Sequence, residues 1–294
     1  MNNYFKEKEK KETTISKLLL LFIIMFFLIF NSYADNVVDN SKEIFFKDVN
    51  LENIIRETIE KPRGPIYPSH VLHIRNLSVG GSSIKSLVGL EYLTNLEHLY
   101  LGVEYEDGQL IGRNYISDLT PLKDLKKLES LLLGYNEISD IIALERLNNL
   151  KILSLSNNNI KDIEALSNLE NLEVIDLSNN NIFDFSPLSG MISLIEISIF
   201  NHKVNSNNLN DLEVLENLNY LENLFLMNNN ISDITPLKRL QSLKRLDLFD
   251  NNIKEIESLL KLINLENLMI SKNPLNENAV DIIEKLRDRG VSVF

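Results

Sequence analysis

Between Ile74 and Asn276 the hydrophobic and polar positions recur with a period of 22 residues, nine times over. The clearest copies, 150–169 and 172–191, read L-x-x-L-x-L-x-x-N-x-I-x-D-[IF]-x-x-L-x-x-[LM]. The first apolar column holds Ile74, Leu96, Leu128, Leu150, Leu172, Leu194, Leu221, Leu243 and Leu265, and the columns three and five residues further on contain no charge either. A copy this short cannot bury its own apolar side chains, so copies must stack and share one continuous core. Within L-x-x-L-x-L the side chains alternate, which predicts a short strand with Leu or Ile inward and the variable residues outward. Nine such strands stacked at about 4.8 Å predict a parallel sheet roughly 40 Å long. The spacing departs from 22 only twice, to 32 after Leu96 and to 27 after Leu194. Those two copies carry insertions that leave the stacking intact. One is a solvated loop over about Gly102 to Ile111, with Glu104, Tyr105, Glu106 and Asp107, and the other lies around Val204 to Asn208.

Two polar columns refine the picture. Asn136, Asn158, Asn180, Asn229, Asn251 and Asn273 share one position at the strand exit. A buried Asn there can satisfy backbone groups of its own and neighbouring turns, a structural role that needs no ligand. Pro121, Pro187 and Pro236 share a position in the return segment, where a fixed φ favours 3₁₀ or irregular turns on the back.

The ends read as caps. Leu51, Ile54, Ile55 and Ile59 form a helical face within Asp48 to Ile59. At the other end Ala279, Ile282, Ile283 and Leu286 give Glu277 to Arg289 helical periodicity, Gly290 suits a helix end, and Val291 to Phe294 can add a strand-like rung. Such caps hide the open apolar face and strand edge of a terminal repeat, so the chain is expected to stop where a complete domain stops.

The phrases S-D-L-T-P-L (117–122) and S-D-I-T-P-L (232–237), with the helical segment before the first repeat, resemble the bacterial internalin-type leucine-rich repeat over about 45–294. The resemblance implies an α/β solenoid, a leucine-rich-repeat horseshoe. Its parallel β-sheet would line the concave face, short turns or 3₁₀ segments the back, with an N-terminal helical cap and a C-terminal helix cap. Adhesion or host interaction follows by analogy alone. No immunoglobulin-like module, sorting signal or wall-binding repeat follows the repeats in this sequence.

The expected organisation is a signal peptide at 1–34, a leader and N-terminal cap at 35–73, nine repeats at 74–276 and a C-terminal cap at 277–294. Five lysines precede the apolar run Leu18 to Phe30, and Ser32-Tyr33-Ala34 supplies small residues before a cleavage site at Asp35. Thirteen apolar residues are short for a bilayer span of about 20. An uncleaved anchor is the alternative to a cleaved signal, and a lipid-modified cysteine is impossible because the chain has none. Loss of five Lys and three Glu with that segment leaves 25 basic and 39 acidic residues, a net charge of −14. Such acidity argues against nucleic acid and anionic membrane surfaces as partners and keeps an exported solenoid soluble.

Little in the sequence points to an enzyme. Thiol chemistry is excluded, and no Gly-rich phosphate loop, G-x-S-x-G elbow or H-E-x-x-H occurs. His70 and His73 lack a third ligand, so no metal or cofactor is assigned. The informative variation lies at outward strand positions. Early copies place small or polar residues there, with Tyr100 an exception; the last four bring Phe200, Phe225, Met227, Phe249 and Met269, with Arg245 and Asp247 beside them. Stacking should align Phe200, Met227 and Phe249 in one column, and Phe225, Asp247 and Met269 in the next. A solenoid core does not require these positions to be apolar, since serine occupies them in other copies. Together with Tyr100 they are the candidate partner-binding residues; the alternative is an inserted loop folded over them. The expectation is a non-enzymatic, exported, monomeric protein whose concave face binds another protein. A structural envelope component that binds glycan or self-associates is the alternative.

Overall fold

The computed structural model describes residues 40–106, 109–202 and 207–294; the expected signal peptide lies outside the described residues. Nine three-residue strands fall where the alternation puts them: β1 (Asn76–Ser78), β2 (His98–Tyr100), β5 (Ser130–Leu132), β6 (Ile152–Ser154), β7 (Val174–Asp176), β8 (Glu196–Ser198), β9 (Asn223–Phe225), β10 (Arg245–Asp247) and β11 (Asn267–Met269). With β12 (Ser292–Val293) they form one parallel ten-stranded sheet in chain order. The register never slips: Leu77 faces Leu99, Leu99 faces Leu131, and so on to Leu246 beside Leu268. These central residues point inward and are at most 5% exposed. A one-residue slip would turn the whole leucine column to solvent, which is why the register holds.

The return segments are short 3₁₀ turns, and their start has a repeated cause. Asp118, Asp140, Asp162, Asp184, Asp211 and Asp233 each accept the N–H two residues ahead at 2.8 Å. The bond folds the backbone into the first turn. Pro121, Pro187 and Pro236 sit at the opening positions of the 3₁₀ turns Thr120–Leu122, Ser186–Gly190 and Thr235–Arg239, where a missing N–H costs nothing.

The strand exit is held by the asparagine column. Asn158 Nδ2 donates to Leu133 O of the preceding repeat and to Leu155 O of its own, both at 3.0 Å, while its Oδ1 accepts Ile138 N–H at 3.0 Å. Asn136, Asn180, Asn251 and Asn273 repeat the pattern. The residue before each ladder position adopts positive φ at Tyr135, Asn157, Asn179, Asn228, Asp250 and Lys272. Left-handed backbone is unfavourable for a residue with a Cβ, by roughly 1 kcal/mol and less for Asn or Asp, so the amide bonds offset a recurring strain.

The structure adds two rungs to this ladder and corrects one insertion. Asn114 and Asn207 occupy the ladder position in the two longer repeats, donating to Leu101 O at 3.0 Å and Leu177 O at 2.8 Å. Both insertions therefore leave the solenoid between strand exit and ladder asparagine. The first is not an irregular loop: β3 (Glu104–Glu106) and β4 (Gln109–Gly112) pair as an antiparallel hairpin. Gly112 lies so close to Gly81 that a Cβ there would meet the Gly81 carbonyl oxygen at 2.4 Å.

Both caps form. Helix α1 (Val49–Thr58) buries Leu51 and Ile55. Asp48 starts it, one carboxylate oxygen accepting Asn50 and Leu51 N–H at 2.9 and 3.2 Å and the other accepting Lys85 N–H at 2.8 Å. One carboxylate thus joins cap to first repeat. A short helix α2 (Pro68–Val71), not foreseen from the sequence, leads into β1. Helix α3 (Ala279–Asp288) buries Ala279, Ile282 and Leu286; Gly290 turns the chain with φ 89°, and β12 pairs with β11.

Replacing Asn180 by Ala removes two bonds to the preceding repeat and one to Leu177 O of its own, and leaves buried backbone groups unpaired. At about 1–3 kcal/mol for each orphaned group, urea denaturation should show a loss of about 3 kcal/mol or more. Asn159→Ala, at an exposed position one residue beyond the ladder, should stay within about 0.5 kcal/mol of the parent.

Candidate binding surface

Strand residues on either side of the buried leucine face away from the core, and at β8–β11 they form two aligned columns. Asn201 N–H donates to Met227 O at 3.0 Å and Asn228 N–H to Phe249 O at 2.9 Å, placing Phe200, Met227 and Phe249 on successive rungs. Strand register puts Phe225 beside Asp247 and Asp247 beside Met269. Seven of the eight candidate residues therefore come together. Phe200, Phe225, Met227 and Phe249 are half-buried, and Met269 is 38% exposed. Their partial cover comes with specific contacts: the Phe200 ring lies 5.0 Å from that of His202, and Lys272 Nζ sits 4.8 Å over Phe249 while facing Asp250 at 3.9 Å. At the rim, Glu196 accepts from Asn223 Nδ2 at 3.0 Å, and Arg245 is exposed.

Tyr100 stands apart. It belongs to β2, five rungs from β9, or roughly 24 Å at 4.8 Å per rung. Its ring covers two glycines: a Cβ at Gly80 would meet it at 2.4 Å and one at Gly102 at 2.9 Å. The hydroxyl donates to the Val103 carbonyl. Tyr100 thus closes the surface above the hairpin, and the glycines in those copies make room for it.

Asp247 is the electrostatic exception on this face. Its Oδ1 accepts the Phe249 N–H at 2.9 Å, the same local turn Asp176 makes with Ser178 N–H at 3.0 Å. At Asp176 the second oxygen takes Ser154 Oγ at 3.4 Å; at Asp247 the flanking residues are Phe225 and Met269. Burial pushes the Asp247 carboxyl above the usual aspartate range, with the Phe249 N–H opposing. The aspartates that open the back turns behave oppositely: hydrogen bonds from Thr120 and Thr235 hold Asp118 and Asp233 below it.

A second ladder escaped sequence reading. Asn149, Asn171 and Asn264, each just before the first leucine column, donate to a carbonyl of the preceding repeat, and Asn95 likewise to Leu72 O of the N-terminal cap, at 2.7–2.8 Å. The recurring N-L dipeptide was its signal. Tyr220 replaces it in one copy and stands exposed near Ile192 and Ile195 in sequence register. Among the described residues no three His, Asp or Glu gather to hold a metal ion, and His70 Nδ1 accepts Tyr67 N–H at 2.9 Å. No described helix is long and apolar enough to cross a membrane.

A family model for leucine-rich repeats in two copies matches residues 148–190. Internalin C2 of Listeria monocytogenes aligns over 79% of this chain and 94% of its own, at 33% identity and a TM-score of 0.68. The chain belongs to the internalin family. Two more distant structures share the fold: a leucine-rich-repeat protein of Leptospira interrogans and the ectodomain of the Arabidopsis thaliana receptor kinase GASSHO1/SCHENGEN3. The first is 22% identical over 77% of this chain and 62% of its own, with a TM-score of 0.57. The second is 24% identical over 71% and 25%, with a TM-score of 0.56, and was solved in complex with Casparian strip integrity factor 2. A search of curated proteins returns no match. An internalin-like leucine-rich-repeat fold suggests protein–protein interaction.

Asp247 gives this internalin face a testable pH signature. A carboxyl whose folded pKa is raised contributes stability below its unfolded value, about 3.9, and loses that contribution as pH rises through the folded value. Asp247→Asn keeps the acceptor for Phe249 N–H but removes the charge. Urea midpoints should therefore favour the variant at pH 7, with the gap closing as pH falls towards 4. Midpoints that stay parallel across that range would contradict the assignment.

Proposed function

We propose that this protein is exported and non-enzymatic, and binds a protein partner through the last four rungs of its concave sheet face, on a host surface or in the bacterial envelope. One observation carries the reading: five large apolar side chains cluster on the last four rungs in two neighbouring outward columns, one of which holds only glycine or serine on every other rung, while the other holds serine, aspartate, Tyr100 and Leu132. Clustered aromatic and methionine side chains with a charged rim have the composition of a protein-binding hot spot. Export rests on the lysine-rich segment, the apolar run and Ser32-Tyr33-Ala34. The plant receptor ectodomain of the same fold was solved in complex with Casparian strip integrity factor 2, and partner binding comes to this chain by analogy.

Crosslinking capture tests the reading. Residues 35–294 and a Phe200→Ser, Phe225→Ser, Phe249→Ser triple variant would be offered host membrane proteins and the organism's own envelope extract separately, with captured proteins identified by mass spectrometry. Wild type should hold a partner that the triple variant loses. The variant should melt cooperatively within a few degrees of wild type, because its replaced rings are only half-buried. Equal capture by both forms contradicts the assignment. Competition by free oligosaccharide, or a concentration-dependent mass lost in the variant, would replace it with glycan binding or self-association.

A further inference from the structure

The outward column of β9–β11 holds a carboxylate in a setting that calls for a cation. Asp247 is half-buried between Phe225 and Met269. Among the described residues it takes one hydrogen bond, from Phe249 N–H, and no ion pair. Arg245, two residues earlier on the same strand and on the same side, pairs with nothing described, and Lys272 is held by Asp250 and the Phe249 ring. A partly desolvated carboxylate is stabilised most by a cation that brings its own donors. The Phe225 ring on one side attracts the same group, and the Met269 side chain on the other can cover its aliphatic stem. The neighbouring column already shows the preference, since Lys272 lies over Phe249. Asp176, in the same column three rungs earlier, has serine at its flanks and a Ser154 hydroxyl on its second oxygen, so it needs no outside partner.

We infer that Phe225, Asp247 and Met269 form a subsite that reads a lysine or arginine side chain projected by the protein partner. The inference rests on the proposed binding face and names the chemistry at its centre. A net charge of −12 for the whole chain favours approach by a basic surface. Arg245, at the edge of the subsite, favours a carboxylate on the partner next to that cation.

Methionine methyls report the subsite without knowledge of the partner. The repeats contain three methionines: Met191 in the core, and Met227 and Met269 on the face. The full chain, methyl-labelled at methionine, would be titrated with N-acetyl-arginine amide, N-acetyl-lysine amide and the uncharged N-acetyl-norleucine amide. The two cations should shift the Met269 resonance saturably and leave Met191 fixed; norleucine should not shift it. Asp247→Asn should abolish the response, and Asp176→Asn should retain it. No shift in wild type, the same shift in Asp247→Asn, or an equal shift with norleucine overturns the subsite. In partner capture, Asp247→Asn should cost at least tenfold in yield. If the triple phenylalanine variant loses the partner while Asp247→Asn holds it fully, the binding face stands and the cation subsite falls. If the triple variant keeps the partner, the binding face falls and the methyl titration judges the subsite separately.

Discussion

A single side-chain amide, buried at the exit of each strand, carries the constraint on which the solenoid depends. The chain must turn there from strand to return, and the turn leaves carbonyls and an N–H pointing into a region without water. Asn158 shows the solution: two donors reach Leu133 O and Leu155 O, and one acceptor takes Ile138 N–H. Two of those three partners belong to the preceding repeat. The bond that closes a turn is therefore also the bond that joins it to its neighbour, and repetition at 22 residues becomes a rigid rise per rung. Aspartate at the start of the back turns and the leucine columns complete the frame. Neither would hold the left-handed residue before the ladder without the amide to fix it.

Because the frame is secured inward and at the edges, the outward strand positions carry no packing obligation. Tyrosine, leucine, serine, aspartate and phenylalanine occupy the same column on different rungs without disturbing register. That freedom lets one end of the sheet gather Phe200, Phe225, Met227, Phe249 and Met269 while most other outward positions stay small or polar. It also explains why the two insertions are harmless. Each departs between the strand and its ladder asparagine, and Asn114 and Asn207 restore the amide bonds on return.

The fold was legible because leucine spacing is a strong signal: strands, register, proline-led 3₁₀ turns and both caps were expected from it. What escaped did so for local reasons. Asn114 and Asn207 were hidden because the insertions shift them out of the 22-residue count. The hairpin β3–β4 was read as a loop on its acidic residues, although Glu104-Tyr105-Glu106 alternates and Asp107-Gly108 is a turn dipeptide. On the candidate face, stacking predicted which residues align, yet not that Tyr100 would serve as a lid over Gly80 and Gly102. The neighbours' shape, and not the residue's type, decides whether an outward aromatic is free.

Native-state hydrogen exchange tests the central claim most directly. The amides of Ile138, Ile160 and Ile231 each donate to a ladder asparagine, so they should open only with global unfolding. Their protection should be unchanged when the outward phenylalanines are replaced by serine. Exchange of these amides through local opening, or loss of their protection when only outward residues change, would show that the ladder is not what holds the frame.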